Sequence, residues 1–215
     1  QACVLDQRLY KRAASAASAA APSPDQAIMR IIAGAFRGRN IVAPKGAATR
    51  PTADRTRESI FNLLSHRSGF SFDGARVIDL FAGSGACGLE SISRGAVFCL
   101  FVEVDAAARG AIRDNVEALG LFGATRVHRR SATSLGSKPA GVGPHFSVAF
   151  LDPPYRKDLA PAAMAALGSG DWLGDGAFVI VEQAKDEIVA AADGFEEIDR
   201  RAYGDTQVGI YRHAK

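Results

Sequence analysis

The chain is predicted to be an α/β protein: a twisted, mostly parallel sheet covered by helices and closed by an antiparallel pair. Three observations predict it. Between residues 76 and 181, five short runs rich in β-branched and aromatic residues alternate with helical stretches, the pattern of right-handed crossovers with helices on both faces. The last two runs, 195–203 and 207–212, are separated only by Gly204-Asp205-Thr206, which reads as a hairpin turn. A glycine-rich loop follows the first strand and a double-proline corner follows the fourth. Both lie at carboxyl ends of strands, where open α/β sheets hold ligands.

Residues 1–28 carry an Ala/Ser tract from Ala13 to Ala21, then Pro22-Ser23-Pro24. This composition is expected to form a disordered tail without a packed core. Its basic start lacks the leucine-rich centre of a secretory signal. The folded part is expected to begin near Met29. Arg30-Ile31-Ile32-Ala33 and Asn40-Ile41-Val42-Ala43 flank Gly34 to Gly38 and read as a short hairpin. A loop over 44–51 follows, and Thr52 is expected to cap a helix over 53–66 whose apolar stripe is Ile60, Phe61, Leu63 and Leu64. Strands are then expected at 76–81, 97–102, 125–128, 146–151 and 177–181, with helices at 86–94, 105–119 and 157–167. The resulting division is a tail over 1–28, a basic hairpin and loop over 29–58, and a sheet domain over 59–215.

A chain of 215 residues can bury one sizeable core. No apolar run is long enough to span a bilayer. Cys3, Cys87 and Cys99 have no metal-ligand spacing, and His66, His128, His145 and His213 are scattered. No metal site is expected, and a reducing, cytoplasmic setting is the simpler reading. The net charge of +3 is unevenly spread: residues 29–58 hold seven basic and two acidic groups, a local +5, while residues 59–215 hold 16 basic and 19 acidic groups, a local −3. A near-neutral body with one basic end suits a polyanion partner.

Asp152-Pro153-Pro154-Tyr155 is the most informative tetrapeptide. Neither proline can continue a central strand, so the segment is a stiff corner presenting a carboxylate, free main-chain carbonyls and an aromatic face. These suit a flat base with an exocyclic amine. The run from Val77 to Gly88 contains Gly83-Ser84-Gly85-Ala86-Cys87-Gly88, a Gly-x-Gly-x-x-Gly loop. Asp79 precedes it, where a pyrophosphate would meet an unwelcome charge but an amino group and a sulfonium would be welcome. Glu103 closes the second strand, where an acid can accept both hydroxyls of a ribose. These features favour S-adenosylmethionine over a nicotinamide dinucleotide. Ser131 and Ala132 fall where an adenine ring should lie, Cys87 reads as a small apolar residue, and Asn115 as a polar anchor of its helix to the loop.

With those residues in view, the chain resembles the bacterial small-subunit (16S) ribosomal RNA guanine-N2 methyltransferases over about residues 29–213. The matching segments are Met29 to Gly34, Phe36-Arg37-Gly38-Arg39, Arg50-Pro51-Thr52-x-Asp54-Arg55-x-Arg57-Glu58, Phe61-Asn62, Asp79-x-Phe81-Ala82-Gly83-Ser84-Gly85, Leu89-Glu90, Ser93 to Ala96, Glu103-x-Asp105 and Asp152 to Tyr155. The resemblance implies a Rossmann-like class I methyltransferase with a seven-stranded sheet. It also implies transfer of methyl from S-adenosylmethionine to a guanine N2 in small-subunit rRNA, free or within a partly assembled 30S subunit, by a monomer. Asp79, Phe81, Gly83, Gly85, Glu103, Ser131 and Ala132 would then hold the cofactor. Asp152, Pro153, Pro154 and Tyr155 would hold the base, and Arg37, Arg39, Arg50, Thr52, Arg55 and Arg57 would serve RNA. Ser131 departs from the acidic residue common in this fold. Two rivals remain: an N6-adenine DNA methyltransferase using the same corner, and a catalytically silent RNA-binding assembly factor.

Overall fold

The computed structural model describes residues 27–44, 51–187 and 189–214, with side chains left undescribed for 51–54. It opens with a two-stranded hairpin in which β1 (Ile28–Arg30) pairs antiparallel with β2 (Asn40–Val42), Met29 opposite Ile41. The first strand thus ends earlier than the expected 30–33. The reason lies outside the hairpin: the amides of Ile32 and Ala33 donate to the Glu90 carboxylate at 2.7 and 3.1 Å rather than to a ladder. At Gly34, φ is +82° and a Cβ would sit 1.8 Å from the Ser93 carbonyl oxygen, so only glycine fits this turn.

Helix α1 (Pro51–Ser65) starts at the proline, so Thr52 lies inside the first turn and does not cap it. A proline costs nothing there, because the first amides of a helix have no internal partner. Lys45 to Arg50 lie outside the described residues. Ile60, Phe61 and Leu64 are buried as the apolar stripe requires, and Leu63 is half-buried.

The seven-stranded sheet runs in the order β5-β4-β3-β6-β7-β9-β8. Its strands are β3 (Arg76–Leu80), β4 (Phe98–Val102), β5 (Thr125–His128), β6 (Phe146–Leu151), β7 (Leu173–Ala184), β8 (Phe195–Tyr203) and β9 (Thr206–His213). The β3 to β7 strands are mutually parallel; β9 is antiparallel to both β7 and β8. Strand β7 is longer than the expected 177–181. Leu173 already pairs with Phe146, and the register then slips before Val148 meets Phe178, leaving Gly174-Asp175-Gly176 as an irregular stretch that reads locally as a loop.

Helices α2 (Ala86–Ser93), α3 (Ala106–Leu119) and α4 (Leu159–Ser169) cover the sheet. Two apolar clusters form, one per face. The first joins the hairpin residues Met29, Ile31, Phe36 and Ile41 to α1, α2, α3 and the sheet, and contains the stacked rings of Phe72, Phe61 and Phe150. The second packs α4, Leu135, Phe146 and Trp172 against the opposite face. The basic hairpin therefore shares a core with the sheet domain. The chain reverses direction across the sheet between β3 and β6, which opens a crevice at their carboxyl ends.

Candidate active site

Strand register places the site. Leu80 pairs with Val102 on one side and Leu151 on the other, and Leu151 pairs with Val181. One residue beyond this common rung the four strands deliver Glu103, Phe81, Asp152 and Glu182, in that lateral order. Neighbouring strands lie about 4.8 Å apart, so a row of acids interrupted by one aromatic runs along the carboxyl edge. Phe81, Glu103, Val104, Asp152, Pro153, Pro154 and Tyr155 line a cleft of about 450 Å³ there.

The glycine loop forms one wall. Phe81 has φ +59°, an uncommon value for a side chain of this size, held as the chain leaves β3. Glu103 accepts the Gly83 amide at 2.9 Å on one oxygen and the Asp105 amide at 2.8 Å on the other, while Asp105 caps α3 by accepting the Ala108 amide at 2.7 Å. Below them Asp79 is buried and accepts the Gly88 amide at 3.0 Å. Burial pushes its carboxyl up to about 8; the Gly88 amide opposes this and Glu103 adds to it. A cation entering the cleft would stabilise the ionised form. Gly88 is required by packing, since a Cβ there would lie 2.4 Å from the Cys99 sulfur and from the Phe101 ring.

The proline corner forms the other wall. Asp152 lines the cleft and keeps exposed surface there. Loss of solvent, then Glu182, then Asp79 raise its carboxyl well above the usual range. Desolvation likewise raises Glu182. The Tyr155 hydroxyl donates to Glu182 Oε1 at 3.1 Å and lies 3.0 Å from Thr206 Oγ1, which fixes the phenol ring at the cleft. Desolvation first, with the neighbouring acids, pushes this phenol to about 12, so it remains a neutral donor. Glu187 braces the corner from behind, accepting the amides of Arg156 and Ala184 on its two oxygens.

The expected cofactor residues are only partly gathered. Phe81 and Glu103 line the cleft, and Asp79, Gly83 and Gly85 lie in the strand and loop beneath it. Ser131 and Ala132 do not line it; the Ser131 hydroxyl is tied 2.9 Å from Thr133 Oγ1 within its own turn. Cys87 is half-buried on α2, and burial with nearby Asp79 holds its thiol protonated. Asn115 anchors more than its helix: its amide nitrogen donates to Ser84 O and Val42 O, both at 3.0 Å, and its oxygen accepts the Val42 amide at 2.7 Å.

The basic residues divide. Arg37 and Arg55 are exposed. Arg57, expected to face RNA, is instead buried and donates to the Arg30 carbonyl at 2.8 Å and the Met29 sulfur at 3.7 Å, pinning β1 to α1. Arg39 is half-buried and donates to the Ala118 carbonyl at 2.9 Å, in the last turn of α3. The hairpin turn lies at the far end of α2, where the Ala35 amide donates to Ser93 O at 2.7 Å. Arg50 lies outside the described residues, as does the side chain of Thr52. Sequence reasoning missed Val104, which lines the cleft, and Glu182, which does not line it but holds the Tyr155 hydroxyl beside it. Both follow the end of an apolar run, but only the register shows that Glu182 reaches the same rung as Asp152.

The profile of the family described as Conserved hypothetical protein 95 matches residues 29–212. The chain belongs to that family. Among its relatives, the ribosomal RNA small subunit methyltransferase D of Haemophilus influenzae is 32% identical, covering 86% of this chain and 94% of the relative. The protein of the same name from Escherichia coli is 36% identical over 72% of this chain and 74% of its own length. The solved structure of Escherichia coli yhhF superposes with a TM-score of 0.72 at 30% identity, covering 87% of this chain and 99% of that one. A tRNA (uracil-54, C5)-methyltransferase of Pyrococcus abyssi, solved with S-adenosyl-L-homocysteine, shares the fold at a TM-score of 0.62 and 14% identity.

Proposed function

We propose that the protein transfers a methyl group from S-adenosylmethionine to the exocyclic N2 of a guanine in small-subunit (16S) ribosomal RNA. The observation that carries this reading is the Asp152 corner, held one rung beyond β6 directly beside the glycine loop of β3. The names of the relatives support ribosomal RNA as the substrate class. In the cytoplasm, free rRNA and a partly assembled subunit are the two forms such a substrate takes.

The cleft fits the cofactor by charge. Asp79 is a buried acid whose ionised form a cation would favour, and Glu103 faces the cleft with spare acceptor capacity. Asp79, Gly83 and Gly85 would hold the methionine end and Glu103 the ribose. When bound, S-adenosylmethionine supplies an electrophilic methyl group on a sulfonium.

The lone pair of a guanine N2 is delocalised into the ring, so the amine is a reluctant nucleophile. Asp152 and a main-chain carbonyl of the corner accept its two N–H groups and draw the nitrogen toward tetrahedral geometry. This is catalysis by orientation and electrostatics, with no covalent enzyme intermediate. Asp152 would also take the proton released from the amine as its C–N bond forms and the methyl's C–S bond breaks, leaving S-adenosylhomocysteine. Tyr155, fixed through Glu182 and Thr206, offers its ring to the base, a stacking contact worth about 1–3 kcal/mol. Because the corner lies inside a cleft, the guanine must be unstacked to enter.

The test is transfer of labelled methyl to small-subunit RNA, free or in 30S particles, from cells lacking the protein, followed by mass-mapping of the methylated nucleoside. N2-methylguanine at a single position is expected, and Asp152→Ala should abolish it while S-adenosylhomocysteine still binds. N6-methyladenine as the product, or full turnover by Asp152→Ala, would overturn the reading.

A further inference from the structure

We propose that Glu182 is the residue that reads the target base as guanine, its Oε2 accepting the N1–H while Asp152 accepts from N2. The inference rests on the guanine-N2 reading above and goes beyond it by assigning base specificity to a second strand. Three observations converge on Glu182. The pairing of Leu151 with Val181 sets it laterally beside Asp152, one strand spacing away, or about 4.8 Å between backbones. Its Oε1 is occupied by the Tyr155 hydroxyl at 3.1 Å, whereas Oε2 takes no hydrogen bond from the described residues. The phenol is in turn within 3.0 Å of Thr206 Oγ1, so the carboxylate is held at a fixed angle from two further elements, the corner and β9.

The chemistry of the edge then selects the base. Two carboxylates this close repel each other, and the repulsion is relieved by a partner that brings donors to both. Guanine presents N1–H and N2–H side by side on its Watson–Crick edge. Adenine presents an N6 amine beside an unprotonated N1, whose lone pair would face the Glu182 carboxylate. A site built to accept a hydrogen bond rejects an analogue that lacks the donor far more strongly than a merely apolar pocket rejects a missing methylene.

2-Aminopurine tests this, because it keeps the 2-amine and lacks the N1–H. Once the methylated guanine is mapped, a synthetic RNA segment carrying 2-aminopurine at that position is ligated into small-subunit rRNA and compared with guanine. The wild-type protein should favour guanine by about 10–100-fold in kcat/KM, the loss expected for one hydrogen bond to a charged group. Glu182→Ala should lower guanine transfer by about 10–100-fold and bring the two bases to near parity, with S-adenosylhomocysteine affinity unchanged. Glu182→Gln, which keeps the shape, should fall between. Equal use of both bases by the wild type overturns the proposal with no variant needed, as does Glu182→Ala retaining the wild-type ratio. A wild-type protein that binds S-adenosylhomocysteine yet methylates no guanine overturns the parent reading, and the role of Glu182 with it.

Discussion

Asp79 and Asp152 are both acids whose surroundings disfavour charge, and this shapes how the site should respond to pH. For Asp79 the folded value of about 8 lies above the ordinary 3.8. The folded state therefore holds a proton that the unfolded chain releases, so the free protein should lose stability as pH rises between those two values. A bound cation removes that loss. Melting temperature should fall with pH across this window and flatten on addition of S-adenosylmethionine. Calorimetry in buffers of different ionisation enthalpy should show proton release on binding near pH 7, absent in Asp79→Asn. Asp152 must be ionised to accept from the amine. The kcat/KM for transfer should therefore decline on the acid side, with an apparent pKa above the ordinary carboxylate range, since desolvation first, then Glu182 and Asp79, resist its ionisation. A profile flat down to pH 5 would remove Asp152 from the chemistry.

At the level of elements, the hairpin is held to the sheet domain by polar side chains buried in the joint. Glu90 is almost fully buried, accepts the Ile32 and Ala33 amides and bonds Arg94 Nε at 2.7 Å. Glu90→Ala leaves two amides and a guanidinium without their acceptor and should cost about 3–5 kcal/mol in denaturant unfolding. Asn115 links hairpin and glycine loop at once through Val42 and Ser84. Asn115→Ala should destabilise by about 2–4 kcal/mol and also weaken S-adenosylhomocysteine binding, because the loop loses a tether. Destabilisation with unchanged cofactor affinity would show that the loop is held by its own backbone alone. The Asn115 tether to the loop is legible locally and is found at Ser84, but the bonds of Glu90 and Asn115 to the hairpin are not, because those partners lie 57 or more residues away.

For the whole molecule, the local excess of +5 in residues 29–58 survives folding only in part as a surface. Arg57 is buried and Arg39 caps the carbonyl end of α3, whereas Arg37 and Arg55 remain exposed. The Arg37 turn is separated from the cleft by the eight residues of α2, about 12 Å of helix. Arg37→Ala should therefore reduce the salt slope of RNA binding by about one while leaving kcat for bound RNA unchanged. Arg57→Ala should act on stability instead, freeing β1 from α1. An Arg57→Ala protein of wild-type melting temperature and weakened RNA affinity would reverse that assignment.

Much of this was legible locally. Alternating runs foretold the parallel strands, the glycines and prolines foretold the loop and the corner, and Asp79, Glu103 and Asp152 could be named because each follows or ends an apolar strand. These are short-range features, set by backbone sterics and the period of burial along one segment. What only the tertiary structure decided is lateral: which strand lies beside which, and on which rung. Register across the sheet made Glu182 a neighbour of Asp152, and packing turned Arg57 inward. Both outcomes depend on contacts between segments far apart in the chain, and no local pattern encodes those.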